Sequence, residues 1–311
     1  MSLLAEGEIS ILQTARPGKE NASARRKEQS EKNLQAVANV ISANLAALHA
    51  NWQPAKPNNH NIFLGMTAPE LMSASQDSRE ATSRLGNTLE KISRDLAKLK
   101  YPTDLKNNLF SKSVSERQRA LIIAAAKNKP YEETRVYTAF NKKEIAAAAS
   151  RLTAYAKNEH KIGTKEFKAE LVQEMNAIRS LPLGNSWYCT VDLACTNSSI
   201  GLVELKSGGQ LDTTKAAKET EALIYAHLAH GDAAMPFHFA TLYANKGEKK
   251  NIEGSLRSYF QHDVKTNPST QLLVGKIWWK RVLPYGIKYN DFIQLYAKSA
   301  KRYPLLPYKT L

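Results

Sequence analysis

Cysteine is nearly absent: Cys189 and Cys195 are the only two in 311 residues, which excludes a disulfide framework and any four-cysteine zinc site. Both are expected to be small core residues. Long apolar runs are missing too, since none approaches the 18 residues of a membrane span. The N-terminal stretch mixes Glu6, Glu8, Arg16, Lys19 and Glu20 without an apolar h-region, so no signal peptide is expected and the protein is read as cytoplasmic. The seven histidines form neither a His-x-x-x-His nor a His-Asn-His pattern, which disfavours a zinc protease or a histidine–metal nuclease. There is no Gly-x-x-x-x-Gly-Lys-Ser/Thr loop, which disfavours ATP-driven translocation by this chain. Acidic residues are in short supply. Lys and Arg number 44 against 29 Asp and Glu, a net charge of +15 that suits a polyanionic partner.

That excess is uneven. Residues 251–311 hold ten Lys/Arg against three Asp/Glu, whereas 201–250 hold six of each. The first 160 residues read as mainly helical: Leu34, Val37, Ala38, Ile41, Leu45 and Leu48 recur at helical spacing, as do Leu85, Leu89, Ile92, Leu96 and Leu99. Ala146 to Ala149 favour a third helix over 141–157. Thr213 to about His230 reads as a helix, with Ala217, Leu223, Ile224 and Leu228 inward. Pro236 to Ala244 reads as a buried strand, and Trp278 to Tyr303 as helical with a break at Pro284-Tyr285-Gly286. Strand, strand, helix, strand is the order of a mixed α/β sheet. The expected division is a mainly helical region over 1–160, dimerising or contacting a ligand, and a core with a basic helical tail over 161–311.

The chemistry-bearing signal is Val191-Asp192-Leu193, followed after a polar turn by Ile200-Gly201-Leu202-Val203-Glu204-Leu205-Lys206-Ser207-Gly208-Gly209. It reads as a β-hairpin with Asp192 on its first strand. Residues i and i+2 of a strand share a face, so Ile200, Leu202, Glu204 and Lys206 are expected on one side and Gly201, Val203 and Leu205 on the other. A carboxylate and an ammonium on an apolar strand must pair, bind a metal or do chemistry. Two carboxylates can hold a hard cation such as Mg²⁺, and a lysine can orient or deprotonate a water attacking a phosphodiester. Glu-x-Lys recurs at Glu159/Lys161, Glu166/Lys168 and Glu248/Lys250, but only Glu204/Lys206 sits in a run of Ile, Leu and Val at hairpin distance from another acid.

Asp192, Glu204 and Lys206 resemble the three motif positions of the PD-(D/E)xK nuclease superfamily, and within it type II restriction endonucleases, with Val191 in place of the usual proline. Ser207 to Asp212, Phe237 to Asn245 and Val274 to Trp279 are similar to later segments of some of these enzymes, so the resemblance spans roughly 187–283. It implies a restriction-endonuclease-like core: a mixed central β-sheet flanked by helices. It also implies Mg²⁺-dependent cleavage of double-stranded DNA at a short specific sequence, with Mn²⁺ able to substitute, by a homodimer whose genetic partner is a DNA methyltransferase. Asp192 and Glu204 would hold the metal. Superfamily members often add a glutamate four residues after a helix glycine; Gly86 and Glu90 have that relation, although Glu90 could instead pair with Arg94, and Glu170 and Glu174 compete for the role. Lys215, Lys276, Lys280 and Arg281 are candidate DNA contacts, Trp278-Trp279-Lys280-Arg281 resembling a nucleic-acid patch with at least one tryptophan in the core. Polar segments 54–61 and 246–255 are candidate base-reading loops. Two alternatives stand beside this reading: a repair, junction-resolving or recombination nuclease on the same core, and a non-catalytic basic DNA-binding protein.

Overall fold

A computed structural model describes residues 18–52, 69–101, 134–195, 200–208, 211–243, 254–261 and 271–303. Segments 54–61 and 246–253 lie outside them. The described chain is mixed α/β. Helices α1 (Gly18–Ala50) and α2 (Pro69–Lys100) precede strand β1 (Arg135–Thr138), helices α3 (Lys142–Asn158) and α4 (Lys165–Ser180), and strands β2 (Trp187–Thr190), β3 (Leu193–Cys195) and β4 (Gly201–Gly208). Helix α5 (Thr213–His230) leads to β5 (Phe237–Tyr243), a 3₁₀ turn at Gly254–Ser258, β6 (Leu272–Val274), α6 (Lys276–Val282) and α7 (Tyr289–Arg302).

Local chemistry sets the helix ends. The Asn141 side chain accepts from the Lys143 and Glu144 N–H groups, Thr164 from Phe167, and Asp212 from Lys215, each satisfying donors that lack a partner in the first turn. Helix α5 ends on Gly231 at φ 75°, the left-handed cap that glycine adopts without penalty.

The central sheet has the order β3-β4-β5-β6, antiparallel at β3–β4 and parallel thereafter. A second, two-stranded sheet pairs β1 with β2. Asp192 was expected on the first strand of a hairpin; instead the chain changes sheets there. β2 ends at Thr190, β3 starts at Leu193, and Asp192 stands at the bend between them, not on a strand.

Both faces of the sheet are covered. Leu202, Phe237, Phe239 and Leu272 pack with α3, α4 and α5 through Leu152, Phe167, Leu171, Leu223 and Ile224. Val203, Leu205, Ala240 and Leu273 pack on the other face with α1, α2, α6 and α7 through Ile41, Ile92, Leu96, Trp278 and Phe292. Ile200 was expected beside Leu202 but is buried with Val203 and Leu205. The cause is Gly201, whose φ of 63° turns the chain before alternation starts. A Cβ there would lie 1.8 Å from the Pro236 carbonyl oxygen, so only glycine lets β4 start against β5. No described helix is long and apolar enough to cross a membrane.

Candidate functional site

The site lies where β3 leaves β4. Extending the register Leu193↔Val203 by one residue sets Asp192 opposite Glu204, but the ladder has ended. The Leu205 N–H, left without a strand partner, donates to Asp192 Oδ2 at 2.7 Å. That bond aims the Asp192 carboxylate at the same stretch of β4 that carries Glu204 and Lys206.

Glu204 is buried, at 8% exposure, and its Oε1 accepts from Lys206 Nζ at 2.6 Å. Lys206 also reaches Glu219 Oε2 at 3.3 Å, across from α5. Burial first, and the nearby Asp192 second, push the Glu204 carboxyl up to about 8 despite the opposing pull of Lys206; Glu219 adds to the rise by sharing a hydrogen bond with it. Burial alone would lower the Lys206 ammonium, but Glu204, Asp192 and Glu219 together raise it above its ordinary value. Lys206 is therefore held as a cation. In this arrangement it orients and stabilises negative charge; it does not remove a proton from water.

Helix α2 supplies a fourth carboxyl. Gly86 faces Ser207 so closely that a Cβ would sit 2.9 Å from the Ser207 Oγ, and the missing side chain lets the helix approach β4. One turn on, burial first and Asp192 second raise the Glu90 carboxyl, while Lys206 pulls the other way. The structure thus brings Glu90 to Asp192 and Lys206. It does not bring Glu170 or Glu174 there: both lie on α4, where Glu174 makes a two-pronged pair with Arg151 of α3 at 2.7 Å and Glu170 acts electrostatically on Arg151 and Tyr155. Among the described residues no three His, Cys, Asp or Glu side chains stand together in metal-ligating geometry.

Glu219 was not anticipated. The signal that could have found it is periodic: Ala216, Thr220, Leu223 and His227 are buried on α5, and position 219 flanks that stripe. Its sheet-facing placement follows once β4 and α5 are packed.

The basic candidates do not form one patch. Lys215 is exposed and lies 3.8 Å from Asp212 in its own helix turn. Lys276 sits at the start of α6, its Nζ 5.8 Å from the Tyr289 ring. Because α6 runs back along the sheet, Arg281 is at the opposite end, beside Pro236, Phe237 and His238 around a cavity of about 330 Å³. Lys280 is exposed between them. At least one tryptophan was expected in the core, and both rings are buried, so neither forms a surface patch with Lys280 and Arg281. Trp278 Nε1 donates to Ser93 Oγ at 2.8 Å and Trp279 Nε1 to the Leu242 carbonyl at 2.7 Å, so they tie α6 to α2 and β5. Cys195 is buried in β3, and burial pushes the Cys189 thiol up to about 12, which makes it unreactive.

The chain matches no protein-family model, and no curated protein or solved structure is found to be similar to it.

Proposed function

We propose that this chain is a metal-dependent endonuclease acting on double-stranded DNA, a restriction endonuclease with a PD-(D/E)xK core, working as a homodimer because cutting both strands of a palindromic site needs two centres related by a two-fold axis. The observation that carries the reading is the convergence of Asp192, Glu204 and Lys206, joined by Glu90 from a separate helix, where the β3–β4 ladder ends.

The donor set suits a hard divalent cation. Glu204 is kept from ionising by burial and by a second carboxylate, and a cation relieves both costs. Mg²⁺ takes one or two carboxylates plus retained waters rather than an all-protein cage, a number that Asp192 and Glu204 can supply. Asp192 and Glu204 would hold it, with Glu90 the further candidate. When bound, Mg²⁺ or Mn²⁺ supplies a water of lowered pKa and neutralises charge on the phosphate.

The chain's own residues do the rest. Lys206, a fixed cation, orients a non-bridging phosphate oxygen and stabilises the charge that grows there. A water oxygen adds to phosphorus, its proton passes to solvent, the P–O bond to the leaving sugar oxygen breaks, and that oxygen takes a proton from water. The buried Glu204 and the half-buried Asp192 fix the line of attack through their bonds to Lys206 and to the Leu205 N–H.

The test is incubation of supercoiled plasmid or phage DNA with the purified protein in Mg²⁺, in EDTA, and with Glu204→Gln, followed by sequencing of the ends. Discrete ends that need Mg²⁺ and Glu204 support the reading. Equal cutting in EDTA, or by the variant, overturns it.

A further inference from the structure

The cavity of about 330 Å³ beside Arg281 lies at the start of β5, between the first turns of α4, residues 233–236, Gln271 ahead of β6 and the last turn of α6. It is distinct from the carboxylate–lysine site. Phe237 pairs with Leu202 and Thr241 with Lys206, so roughly 13 Å of strand separates the cavity wall from the position of Lys206. Part of the lining is hydrocarbon, from the buried Phe167, Leu171, Met235 and Phe237.

The charged lining is of one sign. Lys168 comes from α4 and Arg281 from α6, and no Asp or Glu stands among the described lining residues. The protein does not neutralise them: among the described residues neither makes an ion pair, whereas Arg151, Lys206 and Lys215 each face a carboxylate. Nearby acids are engaged elsewhere. Glu174 of α4 pairs with Arg151, Glu166 and Glu170 act on Tyr155, and Asp232 accepts from the Ala234 N–H at 2.9 Å and acts on His227 and His230. A third cation stands behind Arg281. Lys100 Nζ donates to the Arg281 carbonyl at 2.7 Å, and burial first and Arg281 second lower its ammonium below the ordinary value.

Like charges gathered at a partly apolar hollow raise the energy of the empty site, and an anion lowers it. The hollow has the volume of a small-molecule site, well above the share of one water, about 30 Å³, so a bare inorganic ion would leave most of it unfilled. Two unpaired cations match a phosphate monoester, which carries about −1.5 to −2 at pH 7, better than a singly charged carboxylate. We propose that this cavity binds a small organic phosphate monoester, its phosphate held by Lys168 and Arg281 and its apolar body against Phe167, Leu171 and Phe237. A free phosphate ester and the 5′-phosphorylated end of a DNA strand share this chemistry.

The experiment is equilibrium dialysis of phenyl phosphate against the full chain in EDTA, where no divalent cation can bridge a phosphate to the carboxylates. Saturable binding is expected, weaker for inorganic phosphate, which lacks the body, and for phenol, which lacks the charge. Lys168→Gln and Arg281→Gln should each weaken it by roughly 10- to 150-fold, the scale of a lost hydrogen bond to a charged group. Ala234→Trp, at an exposed position of the lining, should obstruct the cavity and weaken binding with both cations kept. Lys206→Ala should leave binding unchanged. A short 5′-phosphorylated strand that displaces phenyl phosphate, where its 5′-hydroxyl counterpart does not, assigns the ligand to a DNA end; a phosphorylated strand that leaves it bound assigns it to a free phosphate ester. No saturable binding by wild type overturns the proposal, as does binding no tighter than that of inorganic phosphate. Binding that survives Lys168→Gln combined with Arg281→Gln, or that is lost in Lys206→Ala, overturns it too, since the ligand then sits elsewhere.

Discussion

Helix α5 brings a half-buried acid to the sheet near its start and buries two histidines near its end, and the two arrangements are built on opposite principles. Near its start, Glu219 reaches Lys206, which in turn holds Glu204, so three ionisable groups from two elements satisfy one another. Near its end, His227 and His230 are buried, and none of their ring nitrogens has a hydrogen-bond partner. His227 lies with its ring 4.5 Å from Phe237 and behaves as a packing residue. Burial forces both imidazoles far below their ordinary range, to about 3 and about 4, and keeps them neutral. A strongly shifted side chain is therefore no mark of function by itself. What separates the ends is convergence: carboxyls from α2, the β2–β3 bend, β4 and α5 meet at one lysine, while the histidine ring nitrogens have no hydrogen-bond partner and Asp232 and Arg179 act on them only electrostatically.

The largest effect that would break this comparison is on catalysis. Asp192→Ala, Glu204→Gln and Lys206→Ala should each lower plasmid cleavage by at least about 100-fold, the scale set by removing a charge-stabilising group from an active site. His227→Leu should leave the rate unchanged. The pH dependence of Glu204 sharpens the point. Its folded-state pKa is raised from 4.5 to about 8, so stability is full below 4.5 and falls as pH climbs toward 8. Glu204→Gln should flatten denaturant-derived stability over that window, and Mg²⁺ should raise the wild-type midpoint more at pH 8 than at pH 5. A midpoint indifferent to Mg²⁺ at both values would count against the cation site.

The histidines predict the reverse slope. Their folded pKa values are depressed, so the stability they permit is present above 6.5 and lost as pH falls toward 4 and then 3. Each unit of that descent costs on the order of 1 kcal/mol for the pair's protonation. His227→Leu with His230→Leu should hold its stability between pH 6 and pH 4 where the wild type declines, as read by urea unfolding at fixed pH.

A matched pair of glycines gives a smaller effect. A Cβ at Gly86 would press on Ser207, and one at Gly231 would lie 2.5 Å from the Phe140 ring in a left-handed backbone. Each alanine variant should cost roughly 1–3 kcal/mol of stability. Only Gly86→Ala should also slow cleavage, because it shifts the helix that carries Glu90, and Ser207→Gly should restore it. Smallest is the binding term. Lys276→Gln should reduce the slope of log K against log salt by roughly one unit, whereas Arg281→Gln, at the other end of α6, should leave it unchanged.

The sequence reveals what is local and strongly patterned. The Ile/Leu/Val run of β4 brackets Glu204 and Lys206, the stripe of α5 is periodic, and Gly86 with Glu90 records a close helix approach through spacing alone. Non-local features escape it. β1 is four residues long and pairs with a strand some fifty residues later, so nothing near Arg135–Thr138 announces the partner. The change of sheet at Asp192 depends on that pairing and is hidden for the same reason. Glu219 reads as one more charge in a Lys/Glu-rich helix. Trp278 and Trp279 look like a surface motif because adjacency on a helix suggests two faces; here α2 covers one ring and β5 takes the other.

The approach of α2 to β4 has a consequence for biosynthesis. Glu90 and Asp192 are about a hundred residues apart in the chain, and closing such a loop is slow compared with forming the helices themselves. During synthesis the helix bearing Glu90 leaves the ribosome long before the strand it must meet. Helix α1, made first, covers part of the apolar flank of α2, but the rest waits for β4, whose face of Val203 and Leu205 stays open until the helix docks. Early-made α2 thus carries an aggregation hazard through the middle of translation, and the four-carboxyl cluster can exist only after residue 219 has emerged. A cell making this chain would meet exposed hydrocarbon first and an assembled site last.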